Sequence, residues 1–394
     1  MRKIAIVHDW LSGYFGSERV LEQILQIYPE ADLFCVVDFL APDERAFLNN
    51  RPVTTSFIQR LPLARRYFRN YLALMPLAVE QFDLSSYDLV ISSSHAVAKG
   101  VLTHFGQLHI SYVHTPMRYA WDLQEHYLGK GQRKGVKGVL SRALLHYMRM
   151  WDLRTANGVD TFVANSGVVA RRLWKIYRRE AEVVSPPVDV ASFVVGRERE
   201  PFYVTVSRAV RYKRIDLIVE AFSRMPDRHL VVIGGGAELS KLSSKATSNV
   251  TMLGHQPFEA VLAHMQRARA FIFAAEEDFG IAPVEAQACG TPVIAFDGGG
   301  ATETVIDGET GMYFAEQTAE SLIQAINKFE YTGHRLDPDR IRRNAERFSV
   351  ERFRYEFADL VERKYAAFRV LSGFEEPAER NRGGELGKNV EQNI

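Results

Sequence analysis

Residues 270–296, AFIFAAEEDFGIAPVEAQACGTPVIAF, contain the pattern that decides the fold. An apolar run (AFIFAA) is followed by a polar loop with a Phe-Gly pair, then by a short helical stretch that starts at or near Pro283, and then by a second apolar run (TPVIAF). Strands that alternate with helices in this way are typical of parallel sheets with helices on both faces. The segment therefore predicts a doubly wound α/β domain.

The same alternation occurs on both sides of a break at Pro186 and Pro187. Helical periodicity spans 18–28, 215–225, 258–268 and 350–370. The other predicted strands are KIAIVHDW, ADLFCVV, DLVISSS, HISYVH, TFVANS, PFYVTVS and HLVVIGGG. We expect two Rossmann-like domains, residues 1–188 and 189–350, that face a cleft, followed by a helix over 351–371 and a polar, disordered tail over 372–394.

Composition excludes several classes of protein. The 394 residues are 46% hydrophobic and 25% charged, with a net charge of +1, so the overall basic balance of a nucleic-acid-binding protein is missing. Cys35 and Cys289 lie far apart in apolar surroundings, which argues against a disulfide scaffold or a zinc site and favours a reducing compartment. No apolar run approaches the length of a membrane span, so a cytoplasmic protein is expected.

The strongest site pattern is EDFGIAPVE, from Glu277 to Glu285. A glycine-containing loop before a helix N-terminus offers free N–H groups to a phosphate. Glu285, expected in the first turn of that helix, is placed to accept hydrogen bonds from ribose hydroxyls, and Glu277 from hydroxyls of a sugar. The alternative is that both glutamates only serve the electrostatics of the helix.

Basic and glycine-rich turns follow other predicted strands. Arg208 and Lys213 come after PFYVTV and suit a diphosphate, although such a pair is often only a solvated face. Gly234 and Gly235 after HLVVI permit close approach of the backbone to a nucleotide. The alternative is that the turn needs glycine only for its own geometry. In LSGYFGSER, Gly16 precedes a helix that should start near Ser17, with that serine as its cap, and the turn closes over a diphosphate or is purely structural.

A fifth pattern is YVHTPMRYAWD, residues 112–122. His114 ends a strand and projects into a loop, where it is either a satisfied structural donor or a site residue. Arg118, Trp121 and Asp122 follow it on the acceptor side of the expected cleft.

These residues resemble the retaining glycosyltransferases of family 4, which have the GT-B fold. The resemblance covers nearly the whole chain and is most specific in SRAVRYKR, in the two glutamates of EDFGIAPVE, and in GGGATETVIDGETGMYF (residues 298–314). HDWLSGYFGSERVLEQI and YVHTPMRYAWD are similar to bacterial mannosyltransferases of O-antigen and exopolysaccharide synthesis. The glycine turn departs from the family, in which a double glycine before Ala-Glu is frequent, and so does GGGAE, where a polar residue between glycines is frequent.

The resemblance implies a role for each site residue. The first domain would lie on the acceptor side, the second would bind the donor, and the C-terminal helix would cross back onto the first. Arg208 and Lys213 would neutralise the donor diphosphate, and Glu277 and His114 would contact the transferred sugar. Glu285 would bind the ribose of the donor, and residues Leu253–His255 would lie near its base. The other donor contacts would come from the backbone amides of Gly16, Phe279, Gly280 and Ile281.

The function implied is transfer of a hexose with retention, in which the leaving diphosphate helps to take the acceptor's proton. We expect mannose from GDP-mannose and a saccharide or lipid-linked saccharide acceptor in cell-envelope polysaccharide synthesis. The alternatives are a UDP-sugar donor, a sugar-nucleotide epimerase or phosphorylase, and a non-catalytic nucleotide-sugar sensor. No cofactor or metal is expected, because the fixed cations Arg208 and Lys213 can replace a divalent ion.

Two basic, apolar segments suggest contact with an anionic membrane. Residues 58–77 contain four arginines and no acid. Residues 126–151 contain six basic residues and no acid: Lys130, Arg133, Lys134, Lys137, Arg142 and Arg149. The alternative is a pair of packed helical segments whose basic faces are simply solvated.

Overall fold

The computed structural model describes residues 2–122, 135–332 and 336–373. The first sheet consists of β1 (Ile4–His8), β2 (Asp32–Cys35), β3 (Val53–Thr55), β4 (Leu89–Ser94), β5 (Leu108–Val113), β6 (Thr161–Ala164) and β7 (Ala181–Val183). Its strand order is β3-β2-β1-β4-β5-β6-β7, and each neighbouring pair is parallel. This order reverses direction between β1 and β4, which is where doubly wound folds bind ligands.

The second sheet repeats this arrangement. Its strands are β8 (Glu200–Val206), β9 (His229–Ile233), β10 (Val250–Gly254), β11 (Ala268–Phe273), β12 (Val293–Phe296) and β13 (Gly311–Phe314). The order β10-β9-β8-β11-β12-β13 is again fully parallel and reverses between β8 and β11. The predicted α/β class with two Rossmann-like, doubly wound domains is confirmed.

Helices pack on both faces of each sheet. Within the described residues they are α1 (Gly16–Ile27), α2 (Ala64–Tyr67), α3 (Met75–Glu80), α4 (Gly135–Thr155), α5 (Gly167–Tyr177), α6 (Ile215–Ser223), α7 (Leu239–Ser243), α8 (Phe258–Arg267), α9 (Ile281–Ala288), α10 (Ala301–Thr304), α11 (Ala319–Thr332), α12 (Pro338–Glu346) and α13 (Val350–Leu371). Their apolar faces form the separate hydrophobic clusters that flank each sheet.

The start of α1 differs from the sequence prediction. The helix begins at Gly16, and Ser17 is not its cap. The carboxylate of Glu18 instead accepts the backbone N–H of Phe15 at 2.9 Å and the hydroxyl of Ser17 at 3.0 Å. Ser17 was the wrong choice because the glutamate inside the helix reaches back to the turn, as in a capping box.

The last described helix, α13, lies against the first domain. Phe353 and Phe357 are fully buried in the cluster that β1 and β5 share with α1. Both rings contact Tyr112 of β5, with ring centroids 5.9 and 6.0 Å apart. Residues 374–394 of the predicted tail lie outside the described residues.

Candidate functional site

The loop between β11 and α9 is shaped by Gly280. This residue has φ +87° and ψ 83°, a region that favours glycine, and the helix begins directly after it at Ile281. Pro283 is therefore the third helical residue, near the predicted helix start, and Glu285 is the fifth, so the prediction of Glu285 in the first turn was wrong. The left-handed glycine turns the chain into the helix two residues earlier than the proline signal suggested.

Lys213 and Glu277 meet at the carboxyl edge of the second sheet. Lys213 ends a short 3₁₀ turn after β8, and its Nζ forms an ion pair with Oε1 of Glu277 from the loop after β11. The two side chains are only 16% and 17% exposed, so solvent screens this pair weakly. The structure thus brings the predicted phosphate ligand and the predicted sugar ligand into direct contact.

Arg208 points toward the first domain. Its side chain is exposed, and Nη2 donates a hydrogen bond to the hydroxyl of Tyr212 at 3.3 Å. The guanidinium carbon lies 5.4 Å from the ring centroid of Phe15, the residue before α1. This cation–π contact links the two sides of the cleft.

Glu285 also has a partner across the cleft. Nη1 of Arg19, in α1, lies 2.6 Å from Oε1 of Glu285. Burial lowers the pKa of Arg19, but the hydrogen bond and charge of Glu285 outweigh it and leave the pKa raised. Sequence reasoning missed Arg19, although it stands in the same GSER turn as Gly16.

The N-termini of α1 and α9 face each other. A Cβ added to Gly16 would lie 3.2 Å from Cδ1 of Ile281, the first residue of α9. Helix N-termini carry unpaired N–H groups and a partial positive charge. Two such termini opposite each other, with Lys213 nearby, form a cleft suited to a polyanion such as a diphosphate.

A cavity of about 560 Å³ opens beside Glu285. Its walls come from α1, from the linker between the domains, and from the starts of α8 and α13, and include Arg19, Asp189, Phe193, Phe258 and Glu285. Phe258 is 46% exposed and meets Phe193 edge to face at 5.3 Å. The volume lies within the range of small-ligand pockets, and the walls combine an aromatic surface with charged groups.

The glycines after β9 have different surroundings. Gly234 has φ +134°, and an added Cβ would lie 1.9 Å from the carbonyl oxygen of Ser207, so the protein's own backbone requires glycine there. Gly235 faces open space, with nothing within 4 Å of an added Cβ. Leu253, in β10, is partly buried against the second domain's core, and its carbonyl accepts Nε2 of Gln256 at 2.7 Å.

His114 follows β5 and lies in a cluster with His8 and His95. Its Nε2 lies 2.8 Å from Oγ of Ser93, and its ring centroid lies 6.3 Å from that of His95. Burial, reinforced by His95 and His8, holds the pKa of His114 well below its usual value, so its imidazole is neutral. His8 and His95 were missed, although His8 lies within the predicted strand KIAIVHDW and His95 directly follows the predicted strand DLVISSS.

The residues predicted for the acceptor side have protein partners. Nη1 of Arg118 lies 3.4 Å from Asp278, in the loop after β11. Asp122 pairs with Nε of Arg172 at 3.4 Å. The indole N–H of Trp121 donates to the buried carboxylate of Asp152 at 2.8 Å. The structure therefore shows what anchors these side chains, while their contact with an acceptor stays a prediction.

Asp278 is the point at which the first domain holds the donor-side loop. Besides Arg118, Arg172 of α5 forms an ion pair with its carboxylate, and Ser166 donates its hydroxyl to the Asp278 carbonyl at 2.5 Å. Burial raises the pKa of Asp278, and the two arginines oppose that shift. Asp278 lies between Glu277 and Phe279, so these contacts also fix the predicted donor loop.

The GGGATET segment makes a second connection. The carboxylate of Glu303 accepts the backbone N–H groups of Gly167 and Val168, each at 2.9 Å, at the N-terminus of α5. Gly300 lies so close to the donor loop that an added Cβ would be 2.3 Å from Cα of Phe279. The ring of Phe279 is buried against Phe348, with centroids 5.4 Å apart, so only its backbone can serve a ligand.

The described part of the chain lacks both a metal-binding cluster and a membrane-spanning helix. Over residues 2–122, 135–332 and 336–373, no group of three or more His, Cys, Asp or Glu side chains could hold a metal ion. In the same part of the chain, no helix is long and apolar enough to cross a membrane.

The domains that carry this site match known families. Residues 191–348 match the family model of glycosyl transferases group 1, and residues 16–192 match that of Glycosyltransferase Family 4. Each of the two domains thus matches a glycosyltransferase family model. The cleft described above lies between these two domains, and the Arg19–Glu285 pair joins one to the other.

Curated relatives match part of the chain. The GDP-mannose-dependent alpha-(1-6)-phosphatidylinositol monomannoside mannosyltransferase of Mycolicibacterium smegmatis is 33% identical over 148 residues, which are 33% of this chain and 39% of that protein. The D-inositol 3-phosphate glycosyltransferase of Mycobacteroides abscessus is 30% identical over 195 residues, 43% of this chain and 44% of that protein. The chain thus spans less than half the length of these two relatives.

Solved structures share the fold. HepE of Anabaena, solved in complex with UDP-glucose, has a TM-score of 0.66 and 18% identity, and the match covers 91% of this chain and 99% of that one. Sucrose-phosphate synthase from Thermosynechococcus elongatus has a TM-score of 0.71 and 17% identity, with coverage of 93% and 100%. At these identities the likeness shows the GT-B fold alone.

Proposed function

We propose that this chain is a retaining hexosyltransferase that uses a nucleotide-sugar donor. The observation that carries the proposal is the pairing of Lys213 with Glu277 and of Arg19 with Glu285 beside two facing helix N-termini. A nucleoside diphosphate sugar offers the phosphates, sugar hydroxyls and ribose hydroxyls that would replace these ion pairs. The match of both domains to glycosyltransferase families supports this assignment.

The chemistry follows from the charges. Lys213, released from Glu277 by the donor, would face the diphosphate, and Glu277 would accept hydrogen bonds from the sugar. As the bond to the sugar breaks, negative charge grows on the departing phosphate, and fixed cations stabilise it most in the transition state. In the front-face reaction that we propose, this phosphate takes the proton of the acceptor hydroxyl and the configuration is retained.

The proposed donor is GDP-mannose, and the proposed acceptor is a saccharide or lipid-linked saccharide of O-antigen, exopolysaccharide or related cell-envelope synthesis. The mannosyltransferase of Mycolicibacterium smegmatis, whose name states GDP-mannose dependence, supports the donor. A UDP-sugar is the second candidate, because HepE was solved with UDP-glucose.

Calorimetric titration with GDP, UDP, ADP and dTDP tests the donor. We expect GDP to bind at least tenfold more tightly than the others, a difference of about 1.4 kcal/mol. Incubation with GDP-mannose and a lipid-linked oligosaccharide should then give an extended product with retained anomeric configuration. Binding of none of the four nucleotides would overturn the proposal, and conversion of the free sugar nucleotide without an acceptor would indicate an epimerase.

We also propose that the first domain rests on an anionic membrane, where a lipid-linked acceptor would be found. The buried faces of residues 58–77 and of α4 pack into one hydrophobic cluster on the same side of the first sheet. Their outer faces expose apolar side chains, among them Leu63, Leu140 and Met150, beside Arg65 and Arg66. Lys130, Arg133 and Lys134 lie outside the described residues.

Flotation with vesicles tests this surface. We expect binding to vesicles that contain an anionic phospholipid, loss of binding at high salt, and little binding to neutral vesicles. The double variant Leu63→Glu, Leu140→Glu should bind less, while Tyr331→Glu, at an exposed position of the second domain, should bind normally. Equal binding by both variants, or none by the wild type, would count against membrane contact.

A further inference from the structure

A chain of hydrogen bonds runs from the site histidine to the turn before α1. Nε2 of His114 lies 2.8 Å from Oγ of Ser93, and the same oxygen lies 3.1 Å from Nδ1 of His8. Nε2 of His8 in turn lies 3.3 Å from Oε1 of Glu18. The first three residues stand at the carboxyl ends of β5, β4 and β1, which are neighbours in the first sheet.

Glu18 defines one end of this chain. Burial would raise the pKa of its carboxyl, but the hydrogen bond and charge interaction with His8 outweigh burial and lower it. The carboxylate is therefore ionised and can only accept hydrogen bonds. It does so from His8, from the N–H of Phe15 and from the hydroxyl of Ser17.

We propose that Glu18, His8 and Ser93 are positioning residues that fix the proton of His114 on Nε2. In the arrangement that we propose, Nε2–H of His8 donates to Glu18, and Nδ1 of the same ring accepts the hydroxyl proton of Ser93. The serine oxygen then accepts from His114, which must carry its proton on Nε2.

The consequence concerns the other nitrogen of His114. Among the described residues, the ring of His114 hydrogen-bonds to Ser93, and the side chain is only partly buried. Nδ1 is therefore the nitrogen that a ligand can reach, and it acts as an acceptor. In a step that rests on the proposed function, Nδ1 accepts a hydrogen bond from a hydroxyl of the transferred sugar.

The same network joins two parts of the cleft. Glu18 holds the Phe15–Gly16 turn, which faces α9, and through His8 and Ser93 it orients His114. Glu18 contacts Phe15 and Ser17 directly, without Ser93. A change at Ser93 should therefore affect recognition of the sugar while leaving the nucleotide end of the donor site intact.

Long-range ¹H–¹⁵N correlation spectra of the unliganded protein at neutral pH test the proton position. We expect His114 to show a protonated Nε2 and an unprotonated Nδ1 in the wild type, and a mixture of tautomers in Ser93→Ala. Ser92→Ala is the matched control, because the adjacent buried Ser92 bonds Nε2 of a different histidine, His109, at 2.8 Å. A proton on Nδ1 of wild-type His114, or an unchanged tautomer in Ser93→Ala, would overturn the proposal.

Kinetics test the link to the sugar. We expect Ser93→Ala to lower kcat/KM for the nucleotide sugar about tenfold, the scale of one lost hydrogen bond, while the Kd of the nucleoside diphosphate stays the same. Ser92→Ala should change neither. Equal loss in both variants, or weaker nucleoside diphosphate binding in Ser93→Ala, would refute the positioning role. A wild type with the expected tautomer but no transferase activity would refute the proposed function alone.

Discussion

At the scale of single residues, the site is made of groups that neutralise each other. Lys213 pairs with Glu277, and Arg19 pairs with Glu285. A ligand that brings its own negative charge and hydroxyls would exchange these internal pairs for contacts with itself. Each cation would then stabilise the ligand most strongly when the negative charge on the ligand grows, which is in the transition state of phosphate departure.

This argument predicts the effect of removing Lys213. We expect Lys213→Ala to lower kcat by roughly 100-fold or more, the scale of losing one preorganised charge contact. Steady-state kinetics with the preferred donor measure it. Lys241→Ala is the control, since this lysine of the second domain is exposed and pairs with Glu238 at 3.7 Å. Near-normal kcat and KM in Lys213→Ala would refute its assignment to the diphosphate.

The sequence predicted site residues where local position was informative. His114, Arg208, Lys213 and Glu277 each follow a strand, and the carboxyl ends of parallel strands share one edge. Partners could not be predicted in this way. Arg19 and Glu285 are 266 positions apart, and no periodicity relates them.

At the scale of elements, the strands predicted from sequence lie inside the sheets. The strands that were missed are the edges of the two sheets, β3 and β7 in the first and β10 and β13 in the second. An edge strand is paired on one side only, and these four are three to five residues long. Such strands need no long apolar run, so their sequences lack the signal of a buried strand.

Helix boundaries were less predictable than helix existence. Periodicity located α1 and α6 to within two residues, because a helix must repeat its apolar face. The cap of α1 and the position of Glu285 within α9 were predicted wrongly, because the exact start of each helix depends on one local event. In α1 the carboxylate of Glu18 accepts a hydrogen bond from the backbone N–H of Phe15, and before α9 Gly280 adopts a left-handed conformation. Composition reveals neither feature.

At the scale of the whole molecule, the donor-side loop is held by the opposite domain. Arg118 and Arg172 contact the Asp278 carboxylate, and Glu303 accepts two N–H groups of α5. The arrangement of the loop that contains Glu277 thus depends on how closely the domains approach. We therefore expect closure of the domains to complete the proposed sugar site, as in enzymes that assemble their site on closing.

Asp278→Asn tests this coupling, because it removes the charge and keeps the shape. Hydrogen bonds to charged groups contribute about 1.5–3 kcal/mol, so the closed arrangement should lose about 10- to 150-fold in population relative to an open one. Small-angle X-ray scattering should show a larger radius of gyration, and kcat/KM should fall. Asp339→Asn is the matched control, since Asp339 pairs with Arg197 at 3.0 and 3.1 Å within the second domain. If both variants scatter and turn over like the wild type, the contacts of Asp278 do not control closure.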